Sequence, residues 1–258
     1  MSHSKRGALR RSLRCVTRRE EPPVSGSRLS PRDRYREQTR AEIKEIALRQ
    51  LAEGGTTAVA LTRIAKEVGL SGPALYRYFD SRDALLTDLI RDAYTDLAAA
   101  VGAAADALPA DTSPRARLRA LAAACRTWAV AQPHRYLLIE GTPVPGYSAP
   151  PDTLDSARAV LGPFLPAFAG GEPSAAVRPV AEQMRTWAAG DAAVAEWAAR
   201  HVPAGDEAVA LAGAVLAWTG LHGVIGLEVA GQFAGMGHDG ATLLTAQFDA
   251  LADAFGLR

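Results

Sequence analysis

Leu61-Thr62-Arg63-Ile64-Ala65-Lys66-Glu67-Val68-Gly69-Leu70-Ser71-Gly72-Pro73-Ala74-Leu75-Tyr76-Arg77-Tyr78-Phe79 is the stretch whose reading decides the fold. Leu61, Ile64, Ala65 and Val68 recur at spacings of three and four, which predicts a short helix with one apolar face. Gly69 supplies the positive φ that a tight helix stop requires, and Leu70 packs back into the core. Ser71 is a good N-cap, with Pro73 tolerated in the turn that follows. Leu75, Tyr76 and Phe79 resume the apolar stripe on a second short helix. Two short helices joined by a three-residue turn containing Gly form a helix-turn-helix, a motif that lays its second helix in the DNA major groove. On spacing alone, an ordinary hairpin inside an all-α core fits equally well. The flanks separate the two readings.

Ahead of the motif, Tyr35 to Gly55 reads as a helix with Ile43, Ile46, Ala47 and Leu51 inward. Behind it, Ser81-Arg82-Asp83-Ala84-Leu85-Leu86 opens a fourth helix with a cap at Asp80 or Ser81. From about Arg32 to Tyr94 the arrangement closely resembles the DNA-binding domain of the TetR/AcrR family of transcriptional regulators. Ile64-Ala65, Gly69-Leu70-Ser71, Leu75-Tyr76, Phe79 and Ser81-Arg82-Asp83-Ala84-Leu85 carry the resemblance.

The resemblance implies roles position by position. Thr62 lies near the start of the second helix, where the family often reads a base, and Arg63 stands beside it. Ser71, Gly72, Pro73 and Ala74 form the leading edge of the recognition helix. Tyr76, Tyr78 and Arg82 match positions that usually contact phosphates, and Arg77 adds another. Gly72 and Pro73 depart from the pattern because they bring no side-chain donors. Readout would then lean on thymine methyls, on Thr62 or Arg63, and on DNA shape. Ala60 stands where a Ser or Thr cap is usual, which weakens that cap by about 1 kcal/mol.

The chain of 258 residues is 48% hydrophobic and 22% charged, ordinary for a soluble globular protein. Its net charge of +1 hides an asymmetry: residues 1–40 carry +8 and the remainder −7. A basic front suits an N-terminal part that meets a polyanion. Cys15 and Cys125 have no metal spacing and read as free thiols of a reducing compartment. Ser2 to Pro31 holds no apolar run that would serve as a signal peptide, so a cytoplasmic protein is expected. Ala208 to Leu227 is uncharged and long enough to span a bilayer. It is built from Ala and Gly, contains Thr219 and His222, and lacks a basic flank. A helix buried all round in an all-α dimer is expected instead, with no membrane partner.

No strand-like alternation occurs, and the expected class is all-α. Residues 1–31 read as a disordered basic arm, or as an over-long annotated start. Residues 32–94 form the DNA-binding domain, with the helix-turn-helix at 61–80. Residues 95–258 form a larger helical domain for ligand binding and dimerisation. Within it, helices are predicted over 115–131, His134 to Glu140, 152–169, 174–200, 206–233 and 239–255. The helix over 82–105 leads into this domain, and Gly141 to Pro151 is a Pro/Gly-rich loop.

Trp218-Thr219-Gly220-Leu221-His222-Gly223 resembles the regulators whose C-terminal domain is named for its Trp-His-Gly signature. Arg135-Tyr136 and Gly141-Thr142-Pro143 fit that subgroup, and the likeness spans about 113–233. It implies a domain that receives an unassigned small-molecule inducer and dimerises through a four-helix interface. The helices over 206–233 and 239–255 are the candidates, the latter with Leu243, Phe248, Leu251 and Phe255 as its apolar face.

Trp218 and His222 lie one helical turn apart and share a face. Gly220, Gly223 and Gly226 each weaken a helix, which suggests a backbone or ligand packed against them. His222 reads either as a core histidine satisfied by a carbonyl or Glu228, or as a polar handle in a ligand cavity. Trp128, Tyr136, Trp187 and Trp197 are core by default. The cavity candidates are Trp128, Tyr136, Trp187, Trp218 and His222.

The five histidines show no nucleophile, metal or phosphate-loop signature, so no cofactor, metal or catalysis is expected. The expected function is a ligand-responsive repressor that binds a palindromic operator as a homodimer. Two other readings stay open: a non-specific architectural DNA-binding protein using the basic arm, and an all-α enzyme.

Overall fold

The computed structural model describes residues 30–140 and 153–258. The basic arm before Ser30, Cys15, and the loop over Gly141 to Pro151 lie outside the described residues. Contacts divide the chain into two units, residues 1–38 and 39–258. In the first, Ser30 caps the opening helix: its Oγ accepts from Asp33 N at 3.2 Å.

Among the described residues every regular element is helical. In chain order these are α1 (Pro31–Gly54), α2 (Leu61–Val68), α3 (Gly72–Leu75), α4 (Arg82–Asp106), α5 (Pro114–Ala131), α6 (Pro133–Glu140), α7 (Thr153–Leu161), α8 (Arg178–Gly190), α9 (Ala192–Ala199), α10 (Glu207–Val229) and α11 (Gly240–Ala254). Local chemistry sets the breaks. Ser81, Ser113, Asp191 and Asp239 cap α4, α5, α9 and α11 by accepting backbone N–H bonds.

Two expected helices are divided. The stretch 152–169 continues from α7 as a 3-10 segment, Gly162–Phe168, because Pro163 and Pro166 bring no N–H to an α-helical ladder. The stretch 174–200 breaks between α8 and α9, where Asp191 takes an extended backbone and caps the second piece.

Two apolar cores organise residues 39–258. The first gathers Ile43, Ile46, Ile64, Leu75, Phe79, Leu85, Leu86 and Leu89. The second is larger and includes Leu97, Leu118, Cys125, Tyr136, Phe164, Phe168, Leu211, Phe248 and Phe255. Leu138 of α6 belongs to the first core, while its neighbours Tyr136 and Ile139 belong to the second. Phe248 and Phe255 are therefore not an outward face of α11 as expected: both are fully buried within their own chain, and Leu243 is the exposed one.

Helix α10 is long and apolar enough to cross a bilayer, and more than half of its apolar stretch is buried inside the protein. Gly213 on it lies flat against the Phe168 ring, where any Cβ would overlap the ring. Phe168 has no accessible surface in which to retreat. Gly213→Ala is expected to cost about 1–3 kcal/mol by overpacking, read as a lower urea midpoint. An unshifted midpoint would mean that the ring moves aside freely.

Candidate DNA-reading face and aromatic cluster

Helix α2 ends at Gly69, whose φ of 74° is left-handed. Leu70 N donates back to Ala65 O at 2.8 Å, closing the turn. Ser71 Oγ accepts from Ala74 N at 3.3 Å and so starts α3 with Pro73 in its first turn. Leu75 and Phe79 anchor this segment in the first core. Spacing places Tyr76 on the same stripe, but half of it is exposed, on the outward side of the short helix.

Thr62, Arg63, Ser71, Gly72, Pro73, Tyr76 and Arg77 are all exposed, while Ala74, Tyr78 and Arg82 are half-buried. Arg63 is engaged by Glu53, with Glu67 Oε1 at 3.3 Å. Arg82 turns inward: its Nε donates to Val59 O at 3.0 Å and its Nη2 to Thr56 O. It thus ties the first turn of α4 to the loop ahead of α2.

Two residues that spacing did not single out brace the motif. Gln50 is fully buried on α1, and its Oε1 accepts from Ala60 N at 2.9 Å. The N-terminus of α2, short of a cap at Ala60, thereby has one backbone donor satisfied from the neighbouring helix. Arg40 stacks over the Phe79 ring at 4.2 Å, donates to Tyr78 O at 2.9 Å and pairs with Asp88 on α4. One guanidinium joins α1, the end of the recognition segment and α4.

In the larger core, Tyr136 Oη lies 2.9 Å from His222 Nδ1, with the two rings stacked. Trp218 meets His222 edge-on, with ring centroids 4.1 Å apart. Burial holds the imidazole down to about 4, so His222 is neutral at physiological pH, and burial also raises the Tyr136 phenol. Glu228 is not the partner of His222. Its carboxylate receives both arms of Arg126, at 2.5 and 2.8 Å.

The expected cavity residues divide. Tyr136, Trp218 and His222 come together. Trp128 is half-buried, with the Arg135 guanidinium 5.7 Å above its ring. Trp187 stands on α8 with 42% of its surface exposed. The three α10 glycines divide too. Gly226 faces the Glu140 carboxyl and Gly220 faces Gln247, but nothing lies within 4 Å of a Cβ at Gly223. Cys125 is buried, which pushes its thiol up to about 12 and leaves it unreactive. No cluster of metal-ligating side chains occurs among the described residues.

Residues 43–89 match the family profile of bacterial regulatory proteins of the tetR family. Residues 118–251 match a tetracyclin repressor-like C-terminal domain. The HTH-type transcriptional regulator Rv1816 of Mycobacterium tuberculosis is 39% identical over 219 residues, covering 84% of this chain and 89% of that protein. A crystal structure of a regulatory protein, SCO4313, superposes with a TM-score of 0.70 at 43% identity, over 87% of this chain and all of the other. A protein of unknown function from Rhodococcus sp. RHA1 follows with a TM-score of 0.56 at 26% identity, over 92% of this chain and 99% of that one. The helix-turn-helix braced by Arg40, Gln50 and Arg82, the all-helical partner domain and these likenesses agree, and the chain belongs to the TetR family of DNA-binding transcriptional regulators.

Proposed function

We propose that the protein is a cytoplasmic, ligand-responsive repressor that binds a palindromic operator as a homodimer, is released by a small-molecule inducer and catalyses no reaction. The observation that carries the reading is the exposed edge from Ser71 to Arg77, held on a buried frame. Thr62, Arg63 and the Ser71 to Ala74 edge would meet bases. Tyr76, Arg77, Tyr78 and Arg82 would meet phosphates, with Arg82 doing so only by the part of its guanidinium not committed to Val59 and Thr56. Dimerisation is supported by α10, which leaves Thr219, Gly223 and Leu227 exposed, and by α11, which leaves Leu243 exposed. Open space at Gly223 lets a second helix approach closely. Ligand control is supported by the Tyr136–His222–Trp218 cluster, since α6 carries both Tyr136 and Leu138 of the DNA-reading core. Differential affinity for two states of that connection sets how far an inducer releases DNA.

Selection of bound duplexes from random DNA tests the reading. A two-fold symmetric site should emerge, occupied by two chains, with half-sites about 34 Å apart or a multiple of this. Affinity should fall with salt at a log–log slope of about −0.9 per phosphate contacted. Uniform recovery of all sequences would favour the architectural reading instead.

A further inference from the structure

Arg63 stands in the first turn of α2 and Glu67 in its last, one turn apart on the same side. Arg63 Nε donates to Glu67 Oε1 at 3.3 Å, and its Nη2 reaches Glu53 near the end of α1. Glu67 Oε2 also accepts from Arg49 Nη2 at 3.2 Å. Two cations and two anions thus form one solvent-facing cluster with no net charge.

Helix stability does not account for this cluster. A cation in the first turn and an anion in the last both oppose the helix dipole. An Arg four residues ahead of a Glu is also the weaker order for such a pair. Exposed ion pairs contribute little to folding in any case. What the cluster does change is where the Arg63 charge sits. The Lys66 and Arg77 side chains are exposed with no ion-pair or hydrogen-bond partner among the described residues, so their charges are free to meet phosphates. Arg63, next to the exposed Thr62, is already occupied by two carboxylates.

We propose that Glu53 and Glu67 raise the selectivity of DNA binding by holding Arg63 away from the phosphates of non-operator duplex. This rests on the operator-reading role proposed above and names residues that set its discrimination. Exchanging carboxylates for a phosphate gains Arg63 little, since both are anions and the carboxylates left behind repel the phosphate. A guanine edge is neutral, presents O6 and N7 together and meets no such repulsion. Arg63 withheld from phosphates therefore weakens non-operator binding alone. The ratio of operator to non-operator affinity is what a search among many competing sites depends on.

The test measures binding of the full chain to a random-sequence duplex and to the duplex recovered by selection, by fluorescence anisotropy between about 50 and 200 mM salt. On the random duplex, Arg63→Ala should leave affinity within about twofold. Glu53 has Arg63 as its one side-chain partner among the described residues. Glu53→Gln should tighten random-duplex binding about fivefold and steepen the log–log salt slope by about 0.9, one further phosphate contact. Combining it with Arg63→Ala should erase both changes. On the selected duplex Glu53→Gln should tighten binding less, so that the operator preference falls. Unchanged random-duplex affinity in Glu53→Gln would overturn the proposal. So would a tightening that persists without Arg63, which would mean that Glu53 repels phosphates directly. If a site is recovered and Glu53→Gln leaves its preference intact, the proposal falls alone. If selection recovers no preferred site, the operator reading falls and the proposal with it.

Discussion

Lowering the pH from 7 to 4 is expected to remove about 3 kcal/mol of folding stability through His222. The ordinary imidazole value is 6.5, and burial against α6 brings it to about 4 in the folded chain. The unfolded chain therefore binds the proton that the folded chain refuses. This stability is complete above pH 6.5 and drains away as the pH falls toward 4. Protonation also turns Nδ1 into an obligatory donor, which removes any bond that Tyr136 donates to it. His222→Gln keeps a polar partner for Tyr136 but cannot titrate in this range. Its urea midpoint should fall much less steeply than the parent's between pH 6.5 and 4, with His201 left to titrate in the same range. A variant that loses stability as steeply as the parent would assign the proton elsewhere. His201, also lowered by burial, is the next group to examine. Asp88 and Asp249 are held below their ordinary value of 3.8, so the stability they confer is lost only at still lower pH.

Arg82→Ala should weaken binding to operator and random DNA by about a hundredfold and lower stability by about 2–3 kcal/mol, the range for hydrogen bonds to a charged group. The Val59 carbonyl belongs to a residue only 2% exposed, so losing Nε leaves an acceptor that water reaches poorly. The loop ahead of α2 then loses its tie to α4, and both short helices lose their common frame. Arg82→Lys should not rescue, because an ammonium cannot span two carbonyls as the planar fork does. Unchanged thermal stability beside weakened binding would instead make Arg82 a direct phosphate contact. A loss confined to the operator would make it a base reader.

The helix-turn-helix was legible because its determinants are local. Apolar spacing, a left-handed Gly69 and a Ser71 cap act within a few residues, and each is found in place. The braces are not local. Gln50 reaches Ala60 across ten positions and Arg40 reaches Tyr78 across thirty-eight, and neither contact leaves a period in the sequence. Trp218 and His222 were legible as neighbours for the same local reason. The partner of His222 lies eighty-six positions away on α6, and nothing near either residue announces it. Glu228, close to His222 along the helix, is taken by Arg126 of α5 instead. The most apolar face of α11 went inward because a helix buries its strongest stripe in its own core first. Assigning Phe248 and Phe255 to a partner reversed that order.

Leu138 has a bearing on how such regulators can be recombined. Because this side chain of α6 completes the core under the reading helices, the N-terminal half cannot be lifted out by cutting after α4 without opening a gap beneath it. A chimera that sets this DNA-reading half on another regulator's body would inherit whatever residue that body offers at the corresponding place. Matching volume there matters as much as matching the junction in α4. Two halves that look interchangeable along the chain are joined by a third piece, eight residues long, that neither half would be thought to own.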